Sequence, residues 1–363
     1  MSYVPLSSHK RFLLGILSVV LALVVFFVQV NTPGFETSPI ARQAAHATQR
    51  AYAEILKWRL EKGIPIVSSL DPNGTGLIGC EYSDITSTVG DLKAKQLSVN
   101  PAFSALITTW LYEAGVRQGD SVAVSFSGSF PALNIATLCA LDALGANGVV
   151  FSSVGASVYG ANIPGFSWLD MERHLKDKGL ISNHTRFASL GGIADTEGGI
   201  DGTGITIAEK SISENGAHYI REGTPKSVVR DTRRRMQLYF SEGTPKAFVN
   251  VGGNITSLGW VPEAALLANG PLNLDRIPSV TSSARGTIFR MAEKGIPVIH
   301  ILNIKRLSDK YHVATYIGQD NLDLAFSNAR KSHLIITALV LLVWVGLCLA
   351  TLIPRAHLPF SRR

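Results

Sequence analysis

Residues 121–134 read SVAVSFSGSFPALN, an apolar run that leads into Ser-Gly-Ser and then a proline. The run is rich in Val and ends at turn residues, which is typical of a buried strand. Pro131 suits the first turn of a helix, where its missing N–H costs nothing. The stretch therefore predicts a strand, a tight turn and a helix.

The same alternation of strand and helix extends through the middle of the chain. Short Val- and Ile-rich runs predict strands at 64–69, 121–126, 147–154, 247–252 and 296–304. Helices are predicted from near His46 to Lys62 and at Pro101–Ala114, Pro131–Leu144, Trp168–Lys178, Glu263–Leu267 and Thr287–Lys294. Strands that alternate with helices predict an α/β fold with a mainly parallel sheet and helices on both faces.

A pentapeptide, EKGIP, occurs at Glu61–Pro65 and again at Glu293–Pro297. In each copy the glycine is placed to end a helix, and the residues after it are placed to begin a buried strand. We interpret the repeat as recurring local geometry.

Two long apolar segments flank this α/β region. Residues 12–30 and 334–353 hold 19 and 20 residues without a charge, which is enough for a helix to cross a bilayer. The first segment is longer than the apolar run of an ordinary signal peptide, and the nearest Ala-x-Ala lies well beyond its end. We therefore expect a retained anchor, with a cleaved signal peptide as the alternative.

The flanking basic residues indicate an orientation. Lys10 and Arg11 precede the first span and three arginines follow the second, which places both termini in the cytoplasm, although Arg330 and Lys331 oppose this. The predicted localisation is the cell membrane, with the main domain extracytoplasmic. The predicted parts are a cytoplasmic tail (1–11), a transmembrane helix (12–30), a stalk (31–45), an α/β domain (46–330), a second transmembrane helix (334–353) and a basic cytoplasmic tail (354–363).

The net charge of +7 does not indicate nucleic-acid binding. Six of the 34 basic residues lie in 1–30 and 331–363, and this leaves 28 basic against 27 acidic residues in the rest of the chain. The folded region is nearly neutral, and the excess lies beside the membrane, where basic residues set topology and meet anionic lipid.

Neither a cofactor nor a metal is indicated by sequence. The three cysteines, Cys80, Cys139 and Cys348, form no CxxC or zinc spacing and no disulfide scaffold. The loop GGIADTEGGIDGTG (191–204) carries three carboxylates that could hold a hard cation, but it lacks the EF-hand pattern, and a polar surface loop is the simpler interpretation.

Polar, glycine-rich loops follow several predicted strands. In a parallel sheet the carboxyl ends of the strands share one edge, so we expect loops 69–88, 125–131, 152–162 and 250–257 to meet there. Glycine, serine and asparagine let backbone amides and hydroxyls approach a ligand closely. The predicted ligand-binding residues are Ser127, Gly128, Ser129, Asn134, Gly155, Asn162, Gly252, Gly253 and Asn254.

The Ser-Gly-Ser turn has three interpretations. Ser129 is placed to cap the helix that begins at Pro131, which is a purely structural role. The amides of the first helical turn, with the helix dipole behind them, also favour a bound carboxylate or phosphate. The third possibility is catalysis, with Ser129, Ser127 or Cys80 as nucleophile and Glu81 or a histidine as base, although no G-x-S-x-G elbow is present.

A run of arginines offers a second place for an anion. Arg230, Arg233, Arg234 and Arg235 lie within six residues. They could bind a polyanion, but a solvated helix face is the more usual role of such a run.

Four long motifs resemble a known family. They are GLIGCEYSDITSTVGDLKAKQLSVNPAF (76–103), GDSVAVSFSGSFPALNIA (119–136), SSVGASVYGAN (152–162) and SWLDMERHL (167–175). Together with the two flanking spans, they resemble the membrane-anchored poly-gamma-glutamate system proteins, accessory components of bacterial machinery that makes or exports poly-gamma-glutamate. The resemblance runs over most of residues 50–320, and it supplies no reaction and no catalytic residues.

The resemblance implies a role in synthesis, export or surface retention of this capsule polymer. Under a binding hypothesis, Ser129, its neighbouring amides and Asn134 contact carboxylates, and Lys93, Lys95 or the arginines add charge attraction. Under an enzyme hypothesis, the domain cuts or transfers gamma-linked chains. Other subunits of the machinery are alternative partners, in which case the domain is a scaffold.

Overall fold

A computed structural model describes most of the α/β region. The described residues are 15–16, 18–20, 38–192, 199–200, 202–220, 228–311, 313 and 344. The fold lies within one compact unit, Thr37–Leu322. Within the described part of the chain, no helix is long and apolar enough to cross a membrane. The predicted spans, 12–30 and 334–353, lie outside the described residues apart from isolated positions.

The strands are short and mostly buried. They are β1 Thr86–Thr88, β2 Ser121–Ser127, β3 Asn147–Ser153, β4 Ala156–Ser157, β5 Asn162–Ile163, β6 Phe166–Ser167, β7 Thr185–Ser189, β8 His218–Tyr219, β9 Ala247–Val251, β10 Gly270–Pro271 and β11 Val298–Ile301. The α-helices are α1 Pro39–Glu61, α2 Leu92–Ser98, α3 Ala102–Glu113, α4 Pro131–Leu144, α5 Trp168–Asp177, α6 Gly202–Asn215, α7 Val228–Tyr239, α8 Ile255–Leu258, α9 Thr287–Glu293 and α10 Ile304–Tyr311. Pro262–Leu266 and Leu274–Arg276 are 3-10 helices.

Seven strands form one sheet in the order β10-β11-β9-β2-β3-β7-β8. Each neighbouring pair is parallel except β10 and β11. The chain runs outward from β2 through β3, β7 and β8, then returns to β9 on the other side of β2. This reversal makes the β2/β9 pair a topological switch point, the place where ligands bind in open α/β sheets.

Side chains alternate between the two faces of the sheet, and helices pack against both faces. Phe126 packs edge-on against Trp168 of α5, with ring centroids 5.7 Å apart. Phe151 lies on the other face, where it packs 4.7 Å from the ring of Tyr239 in α7. The predicted α/β fold with a mostly parallel sheet is therefore confirmed.

The helix predicted at Pro131–Leu144 has those bounds, as α4. It begins with proline in its first turn and ends at Gly145, whose left-handed φ of 63° fits a C-cap glycine. It is buried on nearly all sides because it packs between the sheet, α1 and α3. The Tyr52 hydroxyl of α1 donates to the Ala132 carbonyl at 2.8 Å, which fixes the two helices in register.

The first helix begins earlier than expected. Ser38 caps α1, because its hydroxyl accepts from the Ala41 amide at 3.2 Å and Pro39 occupies the first turn. Residues 39–45 of the expected stalk are therefore helical.

The predicted strand at 64–69 is wrong. Instead of pairing with a strand, this segment and the loop after it are tied to α1 by the buried Arg59, whose guanidinium donates to the carbonyls of Pro65, Gly76 and Ile78. Both EKGIP glycines adopt a positive φ, 68° at Gly63 and 71° at Gly295, as a helix end requires. A strand follows only the second copy, as β11.

Candidate functional site

The loops that follow β2, β3 and β9 meet at the switch point. The Gly128 amide donates to the Ser153 carbonyl at 3.0 Å, and the Gly128 carbonyl accepts from the Ala161 amide at 2.9 Å. The β9 loop also lies against this turn, since a Cβ on Gly252 would fall 2.7 Å from the Ser127 Cβ. The expected meeting holds for loops 125–131, 152–162 and 250–257, whereas loop 69–88 does not follow a strand.

Three serines in these loops are connected by hydrogen bonds, and we call them the serine cluster: Ser127, Ser129 and Ser157. The Ser127 hydroxyl donates to the Ser129 hydroxyl at 2.9 Å. The Ser129 hydroxyl also accepts from the Ser157 amide at 3.0 Å. All three serines are less than a tenth exposed, so their hydroxyls are held in fixed positions.

The predicted cap of α4 is wrong. Phe130 occupies the N-cap position, and no side chain of the described residues bonds to the first-turn amides. Ser129 is drawn away because its hydroxyl binds the Ser157 amide instead. The amides of the first turn are consequently left without a side-chain acceptor, and they keep the partial positive charge of a helix N-terminus.

Asn134, on the first turn of α4, is fully buried. Its Nδ2 donates to the Ser127 carbonyl at 2.9 Å, which fixes the turn before the helix. Its Oδ1 has no hydrogen-bond partner among the described residues. Burial of an unsatisfied carbonyl is costly, and such atoms in native structures call for an explanation.

Lys95 of α2 lies beside the serine cluster. Only 2% of it is exposed, and its Nζ donates to the Ser129 carbonyl and lies 2.8 Å from the Ser157 hydroxyl. Nζ also lies 3.7 Å from the centroid of the Phe130 ring, a cation–π geometry. Burial lowers the pKa of Lys95 to about 7, because the charged form loses its hydration.

The positive charge of Lys95 is poorly compensated. Among the described residues, Asp91 is the carboxylate that acts on it. Asp91 is already engaged, since it caps α2 by accepting from the Ala94 amide and pairs with Lys305 of α10. The site around Lys95 thus presents an ammonium group, first-turn amides and hydroxyls, with little negative charge.

The glycines of the predicted site are needed because the loops pack closely against one another. A Cβ on Gly128 would lie 2.5 Å from the Val154 carbonyl oxygen, and one on Gly155 would lie 2.8 Å from Ile200 Cδ1. Gly252 is excluded from bearing a side chain by Ser127 in the same way. These glycines let the loops approach one another, so they do not by themselves indicate a ligand.

Asn162 joins two loops. It is fully buried, and its carboxamide accepts from the Cys80 amide at 3.0 Å and donates to the Cys80 carbonyl and to Thr86 Oγ1, each at 2.9 Å. With every polar atom of its carboxamide engaged, Asn162 has a structural position. In the β9 loop, Asn254 caps α8 by accepting from the Thr256 amide at 3.1 Å, and Gly253 is exposed beside it.

The other two candidate catalytic residues differ in surroundings. The Cys80 thiol contacts the Tyr82 carbonyl at 3.3 Å, and burial raises its pKa, which disfavours the thiolate that a nucleophile needs. Glu81 lies next to it on the exposed side of the loop. This loop is connected to the 152–162 loop, because the Tyr159 amide donates to the Cys80 carbonyl at 2.9 Å.

The arginine run divides between surface and interior. Arg230, Arg233 and Arg234 are exposed on α7. Arg235 points inward, where it is almost fully buried and donates to the Ser189 hydroxyl at 3.0 Å. A solvated face therefore accounts for three of the four arginines.

In the loop considered as a cation site, 191–204, half of the residues lie outside the described part of the chain, including all three carboxylates, Asp195, Glu197 and Asp201. Within the described part of the chain, no group of three His, Cys, Asp or Glu side chains is placed to hold a metal ion.

Sequence reasoning missed the special position of Lys95 and Ser157. Lys93 and Lys95 were expected to contribute charge alike, yet Lys93 is exposed and Lys95 is buried. The signal is the helical spacing, because Lys95 shares the buried face of α2 with Ala94, Leu97 and Ser98.

Comparison with protein-family models, with curated proteins and with solved structures finds no match to this chain. The site must therefore be interpreted from its own chemistry.

Proposed function

We propose that this chain is a membrane-anchored accessory protein of poly-gamma-glutamate synthesis, export or retention, and that its α/β domain binds the anionic polymer at the carboxyl edge of the sheet. The observation that carries the binding proposal is the buried Lys95 beside the serine cluster, with its charge poorly compensated by the described carboxylates. The polymer and the membrane anchoring are supported by the sequence resemblance and by the two apolar segments.

A carboxylate would complete this site electrostatically. A buried ammonium is stabilised when an anion approaches it, and hydrogen bonds to charged groups are the strong ones. The first-turn amides of α4 and the hydroxyl of Ser129, which only accepts within the serine cluster, offer further donors in the same place. Poly-gamma-glutamate carries one carboxylate per residue, so it supplies the required group repeatedly.

The full chain, reconstituted in lipid nanodiscs, should bind fluorescently labelled poly-gamma-glutamate. We expect Lys95→Met to weaken binding by about tenfold or more, because one charge-assisted hydrogen bond is lost. The matched control is Lys93→Met, which removes an equal charge from the exposed side of the same helix and should leave the affinity within about twofold. Binding that is equally strong in the Lys95 variant would contradict the proposal.

Two other outcomes identify different partners. Capture of the acidic segment of a partner subunit, without binding of free polymer, would make the domain a scaffold. Binding that is lost on replacing Arg230, Arg233 and Arg234 but retained in Lys95→Met would move the polyanion site to α7.

A hydrolase or transferase is the second candidate function. The contact that favours it is the 2.8 Å distance between Lys95 Nζ and Ser157 Oγ, since a serine paired with a lysine is a known variant of the nucleophile and base arrangement.

A further inference from the structure

We propose that Ser157 is a nucleophile with Lys95 as its general base, and that together they transfer the acyl group of a gamma-linked amide. The choice of substrate rests on the proposed function. The pairing itself rests on the geometry of the serine cluster.

The two reacting side chains are held from several sides. Ser157 ends β4, which pairs with β1, and its amide is bound by the Ser129 hydroxyl at 3.0 Å. Lys95 Nζ is positioned by the Ser129 carbonyl and by the Phe130 ring. Such fixed positions are what general-base catalysis needs, because the base must lie within hydrogen-bond reach of the proton it takes.

The distances to Lys95 admit both of its protonation states. The ammonium donates to the Ser129 carbonyl and to the Ser157 hydroxyl. In the neutral amine, one N–H keeps the bond to the Ser129 carbonyl, and the lone pair can accept from the Ser157 hydroxyl across the same 2.8 Å. Because burial lowers the pKa of Lys95 to about 7, the neutral form is well populated near neutral pH.

The backbone beside Ser157 is strained. Tyr159, two residues on, has a φ of 64°, and it is the non-glycine residue with a positive φ among those described. Left-handed backbone at a non-glycine residue is costly and concentrates at functional sites. The strained residue lies in the same loop as Ser157, as expected if this loop holds a functional side chain in place.

The proposed step balances without a cofactor. The Ser157 hydroxyl proton passes to Lys95 Nζ as Oγ bonds to the amide carbonyl carbon. The C–N bond then breaks, and the leaving amine takes the proton from the Lys95 ammonium. Water, or a second amine, releases the acyl group from Ser157 by the same proton transfer in reverse order.

Binding and catalysis would use the two protonation states of one lysine. The ammonium attracts a carboxylate, whereas the neutral amine activates Ser157. Asp91 of α2 is the described carboxylate that acts on Lys95, and Lys305 pairs with it from α10. The groups that face Lys95 from the other loops, Ser129, Phe130 and Ser157, are uncharged and do not titrate near neutral pH. Polymer binding should therefore weaken as pH rises through about 7, and Ser157 reactivity should increase.

The test uses the full chain in nanodiscs and phenylmethanesulfonyl fluoride, with the modified residue located by peptide mass spectrometry. We expect sulfonylation of Ser157, with a rate that rises through about pH 7 and falls by about tenfold or more in Lys95→Met. Ser87→Ala is the control, since the Ser87 hydroxyl contacts the Ala156 carbonyl at 3.3 Å and should be replaceable without effect on labelling. The chain length of poly-gamma-glutamate is followed in parallel, and shortening should be lost in Ser157→Ala.

The outcomes separate the two proposals. An unlabelled Ser157 together with bound polymer of unchanged length overturns the nucleophile and leaves the binding site standing. A labelled, Lys95-dependent Ser157 in a protein that does not bind the polymer supports the pair and removes the proposed ligand. The pH profile of the unmodified protein needs no variant, so a variant that fails to fold does not decide the result.

Discussion

Lys95 and Glu172 are both ionisable side chains buried in this fold, but their surroundings differ. Glu172 of α5 is fully buried, and both carboxyl oxygens accept hydrogen bonds. The donors are the Thr185 amide at 2.9 Å, the Thr185 hydroxyl at 2.8 Å and Asn215 Nδ2 at 3.1 Å. Burial raises the pKa of Glu172 to about 7, although these bonds oppose the rise.

Lys95 has the opposite kind of environment. Its ammonium contacts the Ser129 carbonyl and the Ser157 hydroxyl, both of which belong to the serine cluster. Burial lowers the pKa of Lys95. Glu172 joins α5, α6 and β7, which is a structural task completed within the chain. Lys95 stands at the switch point beside uncapped amides, where a ligand would complete its surroundings. Burial of a charge alone thus does not mark a site; what distinguishes the proposed site is the uncapped first turn of α4 beside a buried lysine.

Removal of Glu172 should have the largest effect on stability. Glu172→Ala leaves the buried Thr185 amide without an acceptor and removes one of the partners of the Thr185 hydroxyl and of Asn215 Nδ2. We therefore expect it to lower the free energy of unfolding by about 2 kcal/mol or more. Chemical denaturation of the full chain measures this. Glu214→Ala, an exposed carboxylate paired with Arg173, is the control and should change little. If Glu172→Ala lowers the free energy of unfolding as little as Glu214→Ala does, Glu172 has no structural role and the contrast with Lys95 is lost.

Lys95→Met should be far less costly. It removes the penalty of a buried charge, and this offsets the lost donors to Ser129 and Ser157, so we expect a change of less than about 1 kcal/mol near pH 6. Thermal unfolding of the two variants side by side gives the comparison. If Lys95→Met unfolds the domain as readily as Glu172→Ala, Lys95 is a structural residue.

The two groups should also give stability opposite dependences on pH. The folded pKa of Glu172 is raised, so its contribution is present below the unfolded pKa and is lost as pH rises through about 7. The folded pKa of Lys95 is lowered, so its contribution is present above the unfolded value and is lost as pH falls through about 7. Stability from these groups should decrease toward neutral pH and increase again in alkali.

Denaturation across this range tests the sign for each group. Glu172→Gln should flatten the acid limb and Lys95→Met the alkaline limb, each by about 1–3 kcal/mol. If either variant flattens the other limb, the assignment of the two pKa shifts is wrong.

Ser129→Ala should have the smallest effect. It removes a hydroxyl but keeps the turn and the Ser129 carbonyl that binds Lys95, so we expect polymer affinity to fall by about two- to fivefold. Ser241→Ala on the surface is the control. Complete loss of a measured polymer-cleaving activity in Ser129→Ala would instead make Ser129 the nucleophile, in place of Ser157.

Most of the sheet could be predicted because its central strands are buried on both faces and read as apolar runs. β3, β9 and β11 lie within the predicted ranges, and β2 extends one residue beyond its predicted range, to Ser127. The segment 64–69 has a similar composition, but it pairs with no strand of the described residues, and the Arg59 guanidinium donates to its Pro65 carbonyl. β7 was missed because its sequence, TRFAS, is short and includes a charge.

The location of the candidate site was easier to predict from the sequence than the roles of its residues. Strand-end loops with Ser127 and Ser129 were recognisable, because topology brings such loops together. The roles of Gly128 and Asn162 depend on which loop lies opposite, and sequence spacing does not contain that information. Ser157 lay within a predicted loop but had no local pattern to single it out, since its significance comes from a lysine 62 positions away.

The most direct test of the account is the pKa of Lys95 in the full chain, with and without poly-gamma-glutamate. Lysine side chains labelled with 13C at Cε can be followed by NMR in nanodiscs, and the Lys95 signal is identified by its disappearance in Lys95→Met. We expect a pKa of about 7 in the free protein and a clear rise when polymer binds, because a nearby carboxylate favours the ammonium. A pKa that is unchanged by saturating polymer would contradict binding at this site.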